Sequence, residues 1–321
     1  MGLHLRVHLP MTNSFELSAE VEAALTARQP VVALETTVIA HGLPYPRNVE
    51  VAAELEGAVR EEGAVPATIG VVGGDVLVGM DEPAIDRFGA DADVLKASAR
   101  DLGAIIARGD AAATTVAATS LIAARAGIDV VATGGIGGVH PGGEGSLDIS
   151  ADLNALASTP VTVVCAGAKA ILDLPRTLEV LETLGVPLLG LGTDEFPAFY
   201  TRTSGLRLEH VVEDEDAAAR AILAHRSLDL RSAVVVCNPP PAAAEMDRVV
   251  VSELIDRALS EAADEGVSGK ALTPWLLARL AEMSDGDTVR TNVALLESNV
   301  RVAARIARAL REGDSPKVRG F

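Results

Sequence analysis

Pro30-Val-Val-Ala-Leu-Glu35, Val49-Glu-Val-Ala-Ala-Glu-Leu-Glu-Gly-Ala-Val-Arg-Glu61 and Thr68-Ile-Gly-Val-Val72 follow one another in the first quarter of the chain. The outer two are nearly unbroken apolar runs, as expected of strands buried on both faces. The middle one has apolar residues at three- and four-residue spacing, the mark of a helix with one buried side. The alternation continues. Strands are expected at Val76–Val78, Asp129–Thr133, Val161–Cys165, Pro187–Gly190 and Ala233–Cys237. Helices are expected at Ser18–Arg28, Thr115–Ala126, Leu178–Leu184, Asp214–Ala224 and Met246–Glu265, with Ser18 as a start signal and Gly63 and Gly127 as stops. Thr273–Met283 and Thr288–Leu310 make the last third all-helical. This order predicts an α/β fold, a three-layer α/β/α arrangement with a central mixed sheet and a helical C-terminal part. Residues 1–14 read as a flexible extension, 15–312 as a single catalytic domain and 313–321 as a disordered tail.

The 321 residues suffice for a substantial core. The net charge of −18 repels nucleic-acid backbone and anionic lipid, so neither is an expected partner. No apolar run reaches the roughly 18 residues of a membrane helix. Met1–Pro10 lack the apolar stretch and cleavage site of a signal peptide, and a cytoplasmic protein is expected. Cys165 and Cys237 sit in apolar strand-like runs and read as reduced core residues.

Of 27 lysines and arginines only four are lysines: Lys96, Lys169, Lys270 and Lys317. Lys169 ends Val161-Thr-Val-Val-Cys-Ala-Gly-Ala-Lys169, where nearly every neighbour is apolar or small. Burial disfavours the charged form of a lysine, and a neutral amine is a nucleophile that forms a Schiff base with a carbonyl. A snorkelling stem is the ordinary alternative. Glu35 stands at the end of a buried strand, where α/β enzymes place their sites, and suits an acid or an ion-paired loop residue. Thr133-Gly-Gly-Ile-Gly-Gly-Val-His-Pro-Gly-Gly-Glu-Gly-Ser146 follows a strand and is too glycine-rich for a helix; it suits an anion cradle or a flexible loop, with His140 inside it. No Walker or dinucleotide pattern is met. Asp148 and Asp152 are four apart, suiting oxygen ligands on one helix face or, for Asp148, a helix cap. Lys96 reads as a solvated cation by default. Asn292 reads as the cap of the last long helix.

Together these stretches resemble the pseudouridine-5′-phosphate glycosidase family, also described as indigoidine synthase A-like. The resemblance is carried by Val32-Ala-Leu-Glu-Thr-Thr37, His41-Gly-Leu-Pro-Tyr-Pro46, Gly63-Ala-Val-Pro-Ala-Thr-Ile69, Ala113-Thr-Thr-Val-Ala-Ala-Thr119, Ala132-Thr-Gly-Gly-Ile-Gly-Gly-Val-His140, Asp148-Ile-Ser-Ala-Asp-Leu153, the Lys169 run and Gly269-Lys-Ala-Leu-Thr-Pro274. It runs from about Phe15 to Leu310. It implies reversible cleavage of the C–C glycosidic bond of pseudouridine 5′-phosphate to uracil and ribose 5-phosphate. It places a nucleophile at Lys169, a proton donor at Glu35 and a manganese ligand at Asp148, with Mg²⁺ as another possible ion. Substrate contacts fall on Lys96, Val116, Ser150, Ala151 and Asp152, with Thr133, His140 and Asn292 in similar surroundings. A homotrimer is implied too. No kinase domain is attached, so a separate pseudouridine kinase is expected to supply the substrate.

Three rivals remain at the level of sequence. A Schiff-base lyase or aldolase on another sugar phosphate would use Lys169 without a uracil pocket. A relative recruited to pigment biosynthesis would act on a different base or amide. A sugar-phosphate-binding regulator would leave Lys169 and Glu35 unexplained.

Overall fold

The computed structural model describes residues 15–142, 147–267, 269 and 272–313. The expected extension and residues 314–321 of the expected tail lie outside them; Gly313 itself closes the last helix.

The body of the sheet is parallel, in the order β3 (Val65–Val72), β2 (Val31–Leu34), β7 (Val130–Ala132), β8 (Thr162–Cys165), β11 (Val234–Cys237), β9 (Leu188–Leu191) and β10 (His210–Val212). The second half of β3 turns away to pair antiparallel with β4 (Asp75–Val78) and β6 (Ala112–Thr114). β1 (Phe15–Leu17) joins β4 and β5 (Leu95–Ala97) joins β6, both parallel. The sheet is therefore mixed, as expected. Its central strands read Val-Val-Ala-Leu, Val-Val-Ala, Thr-Val-Val-Cys and Val-Val-Val-Cys, and every residue in them is buried. β-branched side chains fill both faces, which suits strands covered on two sides. Cys165 and Cys237 are register partners on β8 and β11, both buried and both free thiols.

From β2 to β3 the chain steps one way along the sheet; from β7 to β8, and onward to β9, it steps the other. Right-handed crossovers then put the connecting helices on opposite faces. On one face α12 (Asp287–Gly313) lies over β2, β7 and β8, flanked by α3 (Arg47–Glu61) and α9 (Glu215–Ser227). On the other, α6 (Val116–Ala126), α7 (Ala151–Ser158) and α8 (Leu174–Thr183) pack in series. Of the rest, α1 (Ala19–Thr26) packs on β2 and β3. α2 (Thr37–His41) and α4 (Glu82–Ala90) pack on each other and on α3, α5 (Leu102–Arg108) precedes β6, and α10 (Arg248–Asp264) pairs with α11 (Leu272–Met283). The helical C-terminal part is thus no appendage: α12 supplies the middle of a layer, with Leu295, Asn299, Ala303 and Ile306 fully buried. Among the described residues no helix is long and apolar enough to cross a membrane.

The seven expected strands and eight expected helices all form. Not foreseen are β1, β5, β6 and β10, each three residues long, and the short α2, α4 and α5; α7 is foreseen only conditionally, as a helix opening near Asp148.

If α12 is core, Leu295→Ala will destabilise the protein by about 2–5 kcal/mol. Leu228→Ala, at a site 71% exposed, will change stability by under about 0.5 kcal/mol. Urea midpoints with matched slopes measure both, and a near-zero effect at Leu295 would refute the placement.

Candidate active site

The strand order reverses between β2 and β7, and a crevice opens at the carboxyl ends of strands on either side of such a reversal. Glu35 leaves β2 and Thr133 leaves β7 at that point. The Glu35 carboxylate is buried and accepts hydrogen bonds from the hydroxyls of Thr37 and Thr133. Thr133 is itself held by its backbone: its N–H donates to the Val164 carbonyl at 3.1 Å, and its carbonyl accepts from Asn299 Nδ2 at 2.8 Å. Asn299 Oδ1 in turn accepts from Asn238 Nδ2 at 2.9 Å. The chain after β8 is laced to the chain after β7. Ile136 N–H donates to the Gly167 carbonyl at 3.0 Å, and Lys169 N–H to the Ile136 carbonyl at 3.1 Å. These bonds fix where the Lys169 side chain leaves the backbone.

Four N–H groups of the described part of the glycine-rich stretch are already taken by the protein. The N–H groups of Ile136, Gly137, Val139 and His140 go to Gly167 O, Asp152 Oδ2, Thr177 Oγ1 and Asp148 O. A Cβ at Gly137 would collide with the Ser150 hydroxyl, and one at Gly138 with that of Thr177. The glycines are there for close packing. Residues 143–146 of the stretch lie outside the described residues.

Two lobes meet at Lys169. The inner lobe is lined by Glu35, Thr133 and Asn292, with Val38, Phe199, Leu277 and Leu296 supplying apolar wall. The outer lobe, about 220 Å³, is lined by Arg100, His140, Asp148, Ser150, Ala151 and Asp152. Thr37, Lys96, Lys169 and Thr273 line both. Ten of the residues singled out in the sequence therefore face one cleft. Val116 does not: it is the first residue of α6, 1% exposed, with its side chain in the core.

Several local expectations are corrected. Asp148 does not cap α7 and shares no helix face with Asp152. Ser150 is the cap, its hydroxyl accepting from Asp152 N–H at 3.2 Å. Asp148 stands before the helix, and its carboxylate has no hydrogen bond or ion pair to another described residue. Asp152 is buried and committed, each oxygen taking a backbone N–H, from Ala117 and Gly137, at 2.9 Å. It ties α6, α7 and the glycine-rich stretch together. Asn292 is no cap either; it lies within the second turn of α12 and is buried. Lys96 is half-buried on β5 rather than solvated.

Burial holds both His140 and His41 below the ordinary imidazole range. For His140 the Asp148 carboxylate opposes that shift, while Lys96 and Lys169 reinforce it. Among the described residues no three His, Cys, Asp or Glu side chains gather into a metal cage. A divalent ion here would have Asp148 as its carboxylate and keep most of its water, an arrangement that suits Mg²⁺ or Mn²⁺ rather than zinc.

Asn299 was missed, although a signal existed. It lies seven residues after Asn292, on the same helix face, amid Leu295, Leu296, Val302 and Ala303. An amide on an apolar stripe needs a buried partner. Thr37 was quoted within a motif but given no role, and Phe199 was passed over.

The indigoidine synthase A-like family model matches residues 20–309. A pseudouridine-5′-phosphate glycosidase of Caldanaerobacter subterraneus subsp. tengcongensis is 52% identical over 92% of this chain and 97% of its own. One of Roseiflexus sp. is 56% identical over 92% and 96%. Among solved structures, the prealnumycin C-glycosynthase AlnA in complex with ribulose 5-phosphate is similar with a TM-score of 0.87 at 42% identity, covering 94% of this chain and 98% of that one. An indigoidine synthase A-like protein of Thermotoga maritima has a TM-score of 0.82 at 38% identity, over 92% and 96%. With a family model spanning nearly its whole described length and relatives more than half identical, this chain belongs to the indigoidine synthase A-like family.

Proposed function

We propose that the protein cleaves the C–C glycosidic bond of pseudouridine 5′-phosphate reversibly, giving uracil and ribose 5-phosphate. The observation that carries this is the two-lobed cleft with Lys169 at its neck. An apolar-walled inner lobe beside a carboxylic acid suits a base. A polar outer lobe with Lys96, Arg100 and Asp148 suits a sugar phosphate. The bond to be broken then lies between the lobes, beside the lysine. The names of the relatives and the ribulose 5-phosphate bound to AlnA agree with this assignment.

A C-glycoside has no leaving oxygen on the base, so the paired-carboxylate route of ordinary glycosidases has nothing to protonate there. Opening the ribose breaks C1′–O4′, and O4′ takes a proton. The Lys169 amine forms a bond to C1′. Glu35, held by Thr37 and Thr133, delivers a proton to C5 of the base. The nitrogen lone pair forms C1′=N as the C1′–C5 pair passes to the protonated base, which leaves as uracil. Water adds to the imine, and ribose 5-phosphate departs from a regenerated amine. A divalent ion on Asp148, when bound, would supply positive charge for the 5′-phosphate. Lys96 and the backbone at the start of α7 face the same lobe. The reading includes a homotrimer, a cytoplasmic location and a separate kinase that makes the substrate.

Uracil release from pseudouridine 5′-phosphate with Mn²⁺ tests the reaction. Glu35→Gln is expected to lower kcat by about 10²–10⁴-fold. Lys169→Ala is expected to abolish turnover together with the borohydride-trapped adduct; retention of full activity would end the covalent scheme. Asp148→Asn is expected to raise the Mn²⁺ needed for half-maximal rate by at least about tenfold, and EDTA to silence the unsubstituted protein. An adduct with ribose 5-phosphate but no uracil release would instead favour a lyase on another sugar phosphate.

A further inference from the structure

Cleaving a C-nucleotide by the route above needs protons at two separate atoms, C5 of the base and O4′ of the ribose. In that reading the base fills the inner lobe and the sugar phosphate the outer. Glu35 is buried and lines the inner lobe, not the outer one. Among the described residues Thr37, Lys96, Lys169 and Thr273 border both lobes. Of these, Thr37 is hydrogen-bonded to the acid, its hydroxyl donating to Glu35 Oε2. Thr133 also donates a hydroxyl to Glu35, but it lines the inner lobe alone. A hydroxyl that served only to hold the carboxyl group would have no need of the outer lobe. The place of Thr37 is fixed from the residue before it. Thr36 Oγ1 donates to the Ile69 carbonyl and accepts from the Thr114 N–H, both at 2.8 Å.

A hydroxyl has one proton to give and two lone pairs to receive with. It can therefore take a proton from a carboxylic acid on one side while releasing its own on the other, with no net change of charge. We propose that Thr37 is a catalytic proton relay between Glu35 and the ribose ring oxygen. As C1′–O4′ breaks and the Lys169 nitrogen bonds to C1′, the Thr37 hydroxyl gives its proton to O4′ and takes one from the Glu35 carboxylic acid. The bonded nitrogen is now cationic. It returns a proton to the Glu35 carboxylate, and Glu35 passes that proton to C5. One carboxyl group thus serves two atoms in turn. This rests on the C-nucleotide reading above and adds the donor to O4′.

Single-turnover cleavage of pseudouridine 5′-phosphate, quenched and followed by the mass of the intact protein, tests the relay. Thr37→Val removes the hydroxyl at nearly constant shape and is expected to lower kcat by at least about 10²-fold. It should stop the reaction before Lys169 bonds to C1′, so no protein carrying the mass of the whole nucleotide appears. Ribose 5-phosphate opens its own ring in water, and its aldehyde form needs no proton at O4′. Its borohydride-trapped adduct on Lys169 should therefore keep its yield in Thr37→Val within about twofold, which also shows that the variant is folded. Thr37→Ser should recover most of the rate. A kcat for Thr37→Val near that of the unsubstituted protein overturns the relay and leaves a lysine as the donor. Build-up of nucleotide-bearing protein in Thr37→Val overturns it too, since the hydroxyl would then serve only to aim Glu35 at C5. Loss of the ribose 5-phosphate adduct in Thr37→Val and Thr37→Ala alike, unrescued by serine, would make Thr37 a structural residue. If the unsubstituted protein releases no uracil, the C-nucleotide reading fails and the relay falls with it. A relay overturned by the Thr37 variants leaves that reading standing.

Discussion

A hydrogen bond from the Asn299 side chain to the Thr133 carbonyl joins the two parts of this protein that matter most to each other. Asn299 is fully buried in the helix that fills one layer. Thr133 is the strand end that presents a hydroxyl to Glu35. An amide buried in an apolar layer is costly unless both its ends are satisfied, and here both are: one donates to Thr133, the other accepts from Asn238. The bond therefore fixes the register of α12 over β7 and β8 and the height of the Thr133 backbone at once. The acid end of the cleft inherits its geometry from the core beneath it.

The nucleophile end is built differently. Among the described residues the Lys169 side chain has no buried hydrogen-bond network behind it; its position comes from backbone bonds between two strand-end loops, 134–139 and 166–169. Those loops approach closely at Gly135, where a Cβ would come within 3.1 Å of the Gly167 carbonyl. Asp152 then clamps the glycine-rich side to the starts of α6 and α7. A rigid acid and a rigidly anchored lysine thus face one another across a switch point, each held by a different layer of the fold.

Much of this was legible in the chain. Four β-branched runs announced the central strands, and the scarcity of lysine pointed at Lys169. Glu35 was marked by its place at the end of an apolar run. What could not be read depended on distant partners. Whether glycines serve an anion or close packing is decided by which N–H groups are already taken, and those acceptors are as far off as Thr177. Asp148 looked like a helix cap because Ser150, two residues on, competes for the same role and wins by position. The short strands β1, β6 and β10 each form along a longer neighbour, β4, β3 and β9.

Cys165 and Cys237 lie side by side on β8 and β11 beneath the cleft. Burial pushes the Cys165 thiol up to about 12 and raises Cys237 well above its usual range, so neither offers a thiolate at neutral pH. With no other cysteine in the sequence, the folded protein presents a blank surface to maleimides and iodoacetamide. A single cysteine engineered at an exposed position would be its only reactive handle, ready for a fluorophore or a spin label without any prior removal of native thiols.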